Sequence, residues 1–136
     1  MYAQMIVRAL VVAEPWIGMI LAGRKTWEMR SRATKIRETV GLIRKGSGTV
    51  VGVVRLVGCG APLDMRALMV NADRHCIPAN KLADAICAGW VVPWHLEDAR
   101  LLQTPIHYDH PNGAVGWVKL ERDVSAKLQE MTGRRV

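Results

Sequence analysis

The stretch GRKTWEMR, from Gly23 to Arg30, places four charged side chains within seven residues, with Trp27 and Met29 as its apolar members. In an extended strand alternate residues face opposite ways, so Thr26, Glu28 and Arg30 share one face and Trp27 and Met29 the other. The apolar pair then belongs to the core, and Glu28 and Arg30 line whatever lies opposite. An arginine two residues from a carboxylate on the same face can orient it through charge-assisted hydrogen bonds. Strict alternation assigns Lys25 to the Trp27 face. It follows directly after Gly23, however, where the strand phase need not yet apply. A lysine shielded there has a depressed pKa and can serve as a base. The plain alternative is a surface Glu–Arg pair of little energetic consequence.

Other residues carry chemistry of a weaker kind. Arg24, Lys45 and the Gly46-Ser47-Gly48 turn offer cations and free N–H groups to a phosphate. Trp16 is placed to stack on a base, with core packing as its alternative, since five tryptophans and no phenylalanine serve this chain. His107, Tyr108 and His110 fall in a polar loop ahead of the last strand and are expected to close over the cleft. His107-x-x-His110 and His75-Cys76 both lack the full ligand set of a zinc site, so neither a metal nor a cofactor is expected.

The elements that must position these groups alternate in type. Residues 4 to 12, rich in Val and Ile, predict a first strand. Glu14-Pro15 opens a short helix with Ile17, Ile20 and Leu21 on one face, and Gly23 stops it. Strands are expected at 25 to 30 and 39 to 45. A turn at Lys45-Gly46-Ser47-Gly48 then leads into the strand TVVGVVRLVG, the clearest hairpin signal in the chain. Asp64 caps a predicted helix running to about Asp73, with Met65, Leu68 and Met69 on a shared face. Pro78 breaks it. A second helix carries Leu82, Ala85 and Ile86 and ends at Gly89. Strands at 94 to 102 and 114 to 120 follow, then a short helix from Asp123. This order predicts one α+β domain over residues 1 to 136, mostly antiparallel, with helices inserted between strands.

Composition bounds the function. The chain has 136 residues, half of them apolar, enough for one domain with a core. No apolar run approaches the roughly 18 residues of a membrane span. The N-terminal run lacks a basic leader and is interrupted by Arg8, so no signal peptide is expected. Cys59, Cys76 and Cys87 form no CxxC pair and cannot all be bridged, which suits a reducing cytoplasm. Net charge is +7, and residues 24 to 45 hold eight cations against Glu28 and Glu38, an excess of six. Residues 46 to 100 balance at five against five. A cluster of this kind draws polyanions by counterion release, which makes nucleic acid the leading partner class.

The run PWIGMILAGRKTWEMR, the strands leading into KGSGTVVGVVRLVG, and the later PWHLEDARLLQTPIHYDHPNGAVGWVKL resemble the ASCH domain family (activating signal cointegrator homology). The family signature, an apolar helix followed by Gly-x-Lys-x-x-Glu-x-Arg, falls on Gly23, Lys25, Glu28 and Arg30. The resemblance implies a small β-barrel related to the PUA RNA-binding fold, with peripheral helices. It also implies a cleft for RNA or a modified nucleoside of cytidine type. Small bacterial members hydrolyse the amide of N4-acylated cytidines with the motif lysine as base, a threonine three residues after it and a glutamate from the helical middle. Here Glu28 stands at the threonine position, and residues 57 to 96 contain no glutamate. The carry-over therefore holds for Lys25 alone, and Thr26 and Glu28 are the local substitutes for the missing hydroxyl and carboxylate. The implied activity is an N4-acetylcytidine-type amidohydrolase. The alternatives are a non-catalytic RNA-binding module or a ribonuclease, functions that the resemblance also implies.

Overall fold

Chain runs rich in Val and Ile become strands because both of their faces are covered. In β1 (Arg8–Val12), Ala9 and Val11 join one apolar cluster, and Leu10 and Val12 join another on the opposite face. β3 (Thr39–Arg44) divides in the same way, Ile43 to the first cluster and Val40 and Leu42 to the second. Continuous apolar runs, in place of strict alternation, are what a sheet buried on two sides requires. The computed structural model describes residues 5–133. The expected first strand begins at residue 4, which lies outside them.

Among the described residues six strands form one sheet; with β2 (Trp27–Arg30), β4 (Thr49–Cys59), β5 (Val92–His107) and β6 (Trp117–Lys119) added, its order is β2-β5-β4-β3-β1-β6. Only β1 and β3 run parallel; all other neighbours are antiparallel. The sheet curls on itself. β2 and β1 are separated by three strands in the order, yet the Arg30 guanidinium donates to the Val11 carbonyl at 2.9 Å. Trp94 of β5 stacks on Trp117 of β6 with centroids 5.8 Å apart. The result is the PUA-like α+β half-barrel, closed along that seam by side chains.

Helices cap the curl. α1 (Trp16–Leu21) places Ile17 and Ile20 in the interior cluster with Leu56 and Trp94. Its docking needs Gly52, because a Cβ there would meet Leu21 and lie 2.6 Å from the Arg100 carbonyl oxygen. α5 (Arg122–Gly133) covers the other face through Val124 and Leu128. Residues 60 to 91 cross outside β2 as α2 (Met65–Val70), α3 (Ala72–His75), a 3-10 turn (Ala79–Lys81) and α4 (Leu82–Ala88). Leu68 and Leu82 bury Met29 from outside.

Several boundaries differ from expectation. The helix expected from Asp64 to Asp73 is two, parted at Asn71, whose side-chain amide turns back to the Ala67 carbonyl at 2.8 Å. Asp64 does cap it, accepting from the Ala67 N–H at 2.8 Å. Of Met65, Leu68 and Met69 only Leu68 is buried. β5 runs on past residue 102 to His107, because Ile106 pairs with Val50 and enters the core. Pro105 is tolerated there since it sits in an irregular stretch of the ladder, where no donor is required.

Candidate functional site

Gly23, with φ of 79°, takes the left-handed turn that ends α1. The N–H groups of Arg24 and Lys25 then both reach back to the Met19 carbonyl, at 3.0 and 3.1 Å. Lys25 is thus fastened to the helix end, and the β2 ladder begins only at Trp27, opposite His95. This is why strand alternation does not govern Lys25. Its side chain turns to the Glu28 side of the sheet, with Nζ 3.8 Å from Glu28 Oε1.

Lys25 and Glu28 are the buried charges of the molecule's floor, 3% and 7% exposed. The Lys25 ammonium donates to the His75 carbonyl at 2.6 Å and lies 5.0 Å from the Trp16 ring centroid. Arg30 grips Glu28 Oε2 with Nε at 3.0 Å and Nη2 at 2.9 Å, and its guanidinium lies over Trp94. A buried carboxylate between two cations is fixed in place, and the arginine is held by Val11 as well. Burial pushes the Lys25 pKa down from its ordinary 10.5, and Arg30 adds to that; Glu28 and Cys76 act against it.

These groups form the floor of a cavity of about 590 Å³. Trp16, Pro15, Met29, Ile77 and Ala85 give it apolar walls. Val11 and Ala13 also line it, and Glu14, Lys45, Lys81, Asp84, Trp90 and Val115, all six exposed, form the mouth. Glu14 also accepts from the Gly18 N–H in the first turn of α1, at 3.2 Å, and pairs with Arg44.

The structure thus gathers Lys25, Glu28, Arg30, Trp16 and Lys45 into one cavity. It leaves other candidates outside. Thr26 is exposed and does not line the cavity; its backbone is bonded to Arg74 and Leu96. Its expected place on the Glu28 face fails for the same reason as the alternation of Lys25, since the strand has not begun. Arg24 is exposed on the outer surface. Ser47 spends its hydroxyl on Thr49 within the turn, at 2.9 Å. Tyr108 and His110 bond each other at 2.7 Å, and His110 bonds the Ala114 carbonyl at 2.7 Å. That loop braces itself; Val115 is the residue it sends to the mouth. Trp16 both packs on the core and faces the cavity.

Among the polar and aromatic residues of the lining, four escaped the sequence reading: Glu14, Lys81, Asp84 and Trp90. Lys81, Asp84 and Ala85 are spaced i, i+3 and i+4, the signature of one helical face, and that face is the one turned to the cavity. A search of the helical middle for glutamate passes over Asp84. His75 offers no ring nitrogen to a metal, for Nε2 bonds the Leu68 carbonyl at 2.6 Å and Nδ1 accepts from the Ile77 N–H at 2.9 Å. Among the described residues no three His, Cys, Asp or Glu side chains converge as a metal site. No helix among them is long and apolar enough to cross a membrane.

A sequence profile of the ASCH domain matches residues 10–105. A crystal structure of ASCH from Zymomonas mobilis superposes with a TM-score of 0.70 at 15% identity, covering 91% of this chain and 94% of that one. Two single-substitution variants of that protein superpose similarly. One has a TM-score of 0.67 at 16% identity, covering 90% and 94% of the two chains. The other has 0.70 at 15%, covering 91% and 96%. No curated protein matches the chain.

Proposed function

The chain belongs to the ASCH domain family, which is RNA-associated, and from that premise we propose that it hydrolyses the N4-acyl amide of a cytidine-type nucleoside, with Lys25 as general base. One observation carries the reading: a lysine 3% exposed, pKa lowered, stands beside a clamped carboxylate at the floor of a cavity of about 590 Å³. A site that merely holds phosphate has no use for a buried carboxylate, which costs roughly several kcal/mol to desolvate and here needs Arg30 and Lys25 to offset that cost.

The neutral Lys25 amine keeps its contact with the His75 carbonyl and presents a lone pair. It takes a proton from a water whose oxygen attacks the acyl carbon. As the tetrahedral intermediate collapses, the C–N bond breaks and the same proton passes to the departing N4 amine. The products are the free nucleoside and the carboxylic acid. Glu28, fixed by Arg30, holds Lys25 in place. Asp84 supplies a carboxylate from the helical middle, where the resemblance puts a glutamate, and Trp16 offers the flat wall for the base. The test is incubation of the purified protein with N4-acetylcytidine, following cytidine and acetate release. No release under single-turnover excess of protein overturns the reading.

A second reading is favoured by a separate observation. Arg24, Arg32, Lys35, Arg37 and Lys45 are all exposed, an electrostatic footprint for RNA that needs no catalysis. On that reading the protein is an RNA-binding module, and titration with structured RNA gives binding without cleavage. Cleavage would mark a ribonuclease.

A further inference from the structure

The cations around the cavity divide by what they already hold. At the floor, Lys25 is committed to the His75 carbonyl and Glu28, and Arg30 to Glu28 and the Val11 carbonyl. Beside the mouth, Arg44 is committed to Glu14. Lys45 and Lys81 are different. Both are exposed and line the mouth, and among the described residues neither side chain has a hydrogen-bond, ion-pair or ring partner. They come from separate walls, Lys45 from the turn between β3 and β4 and Lys81 from the 3-10 turn ahead of α4. Asp84, one helical turn beyond Lys81, also faces the mouth and does not pair with it. Counting the whole lining, Lys25, Arg30, Lys45 and Lys81 face Glu14, Glu28 and Asp84, and Glu14 is already neutralised by Arg44.

We propose that the mouth is a phosphate subsite, so that the cavity takes its ligand as a nucleotide: the base lies against Trp16 over the Lys25–Glu28 floor, and the sugar's phosphate ester meets Lys45 and Lys81. This rests on the nucleoside reading of the cavity and extends it. Two lysines with no internal partner can give all of their charge to an incoming anion, whereas the floor cations cannot without releasing Glu28. The volume agrees, since about 590 Å³ falls within the usual range of small-ligand cavities and exceeds what a base alone would fill. The phosphate can belong to a free nucleotide or to an internal RNA linkage, and the chemistry at the lysines is the same.

The experiment is a calorimetric titration at low salt with three probes: N4-acetylcytidine, its 5′-monophosphate, and a trinucleotide with N4-acetylcytidine at its centre and no terminal phosphate. The hydrolysis-deficient Lys25→Met protein serves throughout, so that the probes stay intact. The monophosphate should bind about tenfold or more tighter than the nucleoside, as charge-assisted contacts allow. That advantage should shrink with added salt. In the Lys45→Ala/Lys81→Ala double variant the nucleoside and the monophosphate should bind with one affinity. A trinucleotide as tight as the monophosphate assigns the subsite to an internal linkage, and a trinucleotide as weak as the nucleoside assigns it to a free nucleotide. Equal affinity for nucleoside and monophosphate in the Lys25→Met parent overturns the phosphate subsite and leaves the nucleoside reading standing. Binding of none of the three by either the Lys25→Met or the wild-type protein removes the nucleoside reading and the subsite with it.

Discussion

The Lys25 ammonium donates to the main-chain carbonyl of His75, 50 residues away, at 2.6 Å. The His75 ring, fully buried, ties the Leu68 carbonyl to the Ile77 N–H. One histidine therefore fastens α2 to the chain after α3 and sets the carbonyl that receives the candidate base. The Ile77 N–H requires Nδ1 as acceptor, so the proton resides on Nε2 and the ring is neutral. The outer helices are in this way part of the site.

Replacing that ring should cost stability. His75→Ala removes two buried hydrogen bonds and leaves a void, an expected loss of about 3 kcal/mol. Urea denaturation of the variant reads this directly. A midpoint equal to that of the parent would mean the helical segment is held by other contacts.

Acid should destabilise the fold through the same residue. Burial lowers the pKa of His75 below its ordinary 6.5, with Lys25 adding to the effect and Leu68 and Asp73 opposing it. Burial also lowers that of His95, helped by Arg74 and Arg37. Below pH 6.5 the unfolded chain then binds protons that the native one refuses. Stability falls as pH drops, until the native histidines themselves titrate. Lys25 adds the opposite end of the scale: its lowered pKa makes stability rise with pH between its folded value and 10.5. Melting temperature measured from pH 4 to 10 should climb across both windows.

RNA affinity should be salt-dependent, but less than the raw charge suggests. Of the eight cations between residues 24 and 45, Lys25, Arg30 and Arg44 are committed to carboxylates. Five remain exposed. If all five meet phosphates of a single strand, log K against log salt should have a slope of about −3.5. A flat line would remove the basic cluster from the account.

Much of this was legible in the residues, and the failures share a cause. The motif Gly23-x-Lys25-x-x-Glu28-x-Arg30, the α1 stop and the hairpin at Lys45 follow from local chemistry. So does the separation of Glu28 and Arg30 from Trp27, while Met29 packs on Leu68 and Leu82 and also borders the cavity; the fold follows from the family resemblance. What sequence could not supply were contacts between distant segments. Trp27 was expected in the core, yet it is half-buried, its ring in contact with His95 and Arg74. Asp84 needed α4 to fold over β2. Trp27→Ala should accordingly cost less than the ~3–5 kcal/mol of a fully buried aromatic, about 2 kcal/mol. Met29, 7% exposed between Leu68 and Leu82, should be at least as costly to truncate.

The decisive pair is Lys25 and Glu28. If the site hydrolyses, Lys25→Ala and Glu28→Ala should each abolish turnover with the fold retained. Their effects should not add, because groups serving one proton transfer fail as a unit. Activity should rise with pH through the folded pKa of Lys25, which lies below 10.5, since only the neutral amine is a base. Arginine in place of Lys25 keeps a cation against Glu28 but stays protonated, so it should restore stability without restoring turnover. If the site only binds, Lys25→Ala weakens an anionic ligand, while Glu28→Ala frees Arg30 from its carboxylate and strengthens it. Opposite signs in a binding titration, with no hydrolysis by the wild-type protein, would sink the enzyme reading. Parallel loss of hydrolysis with affinity retained would sink the binding module.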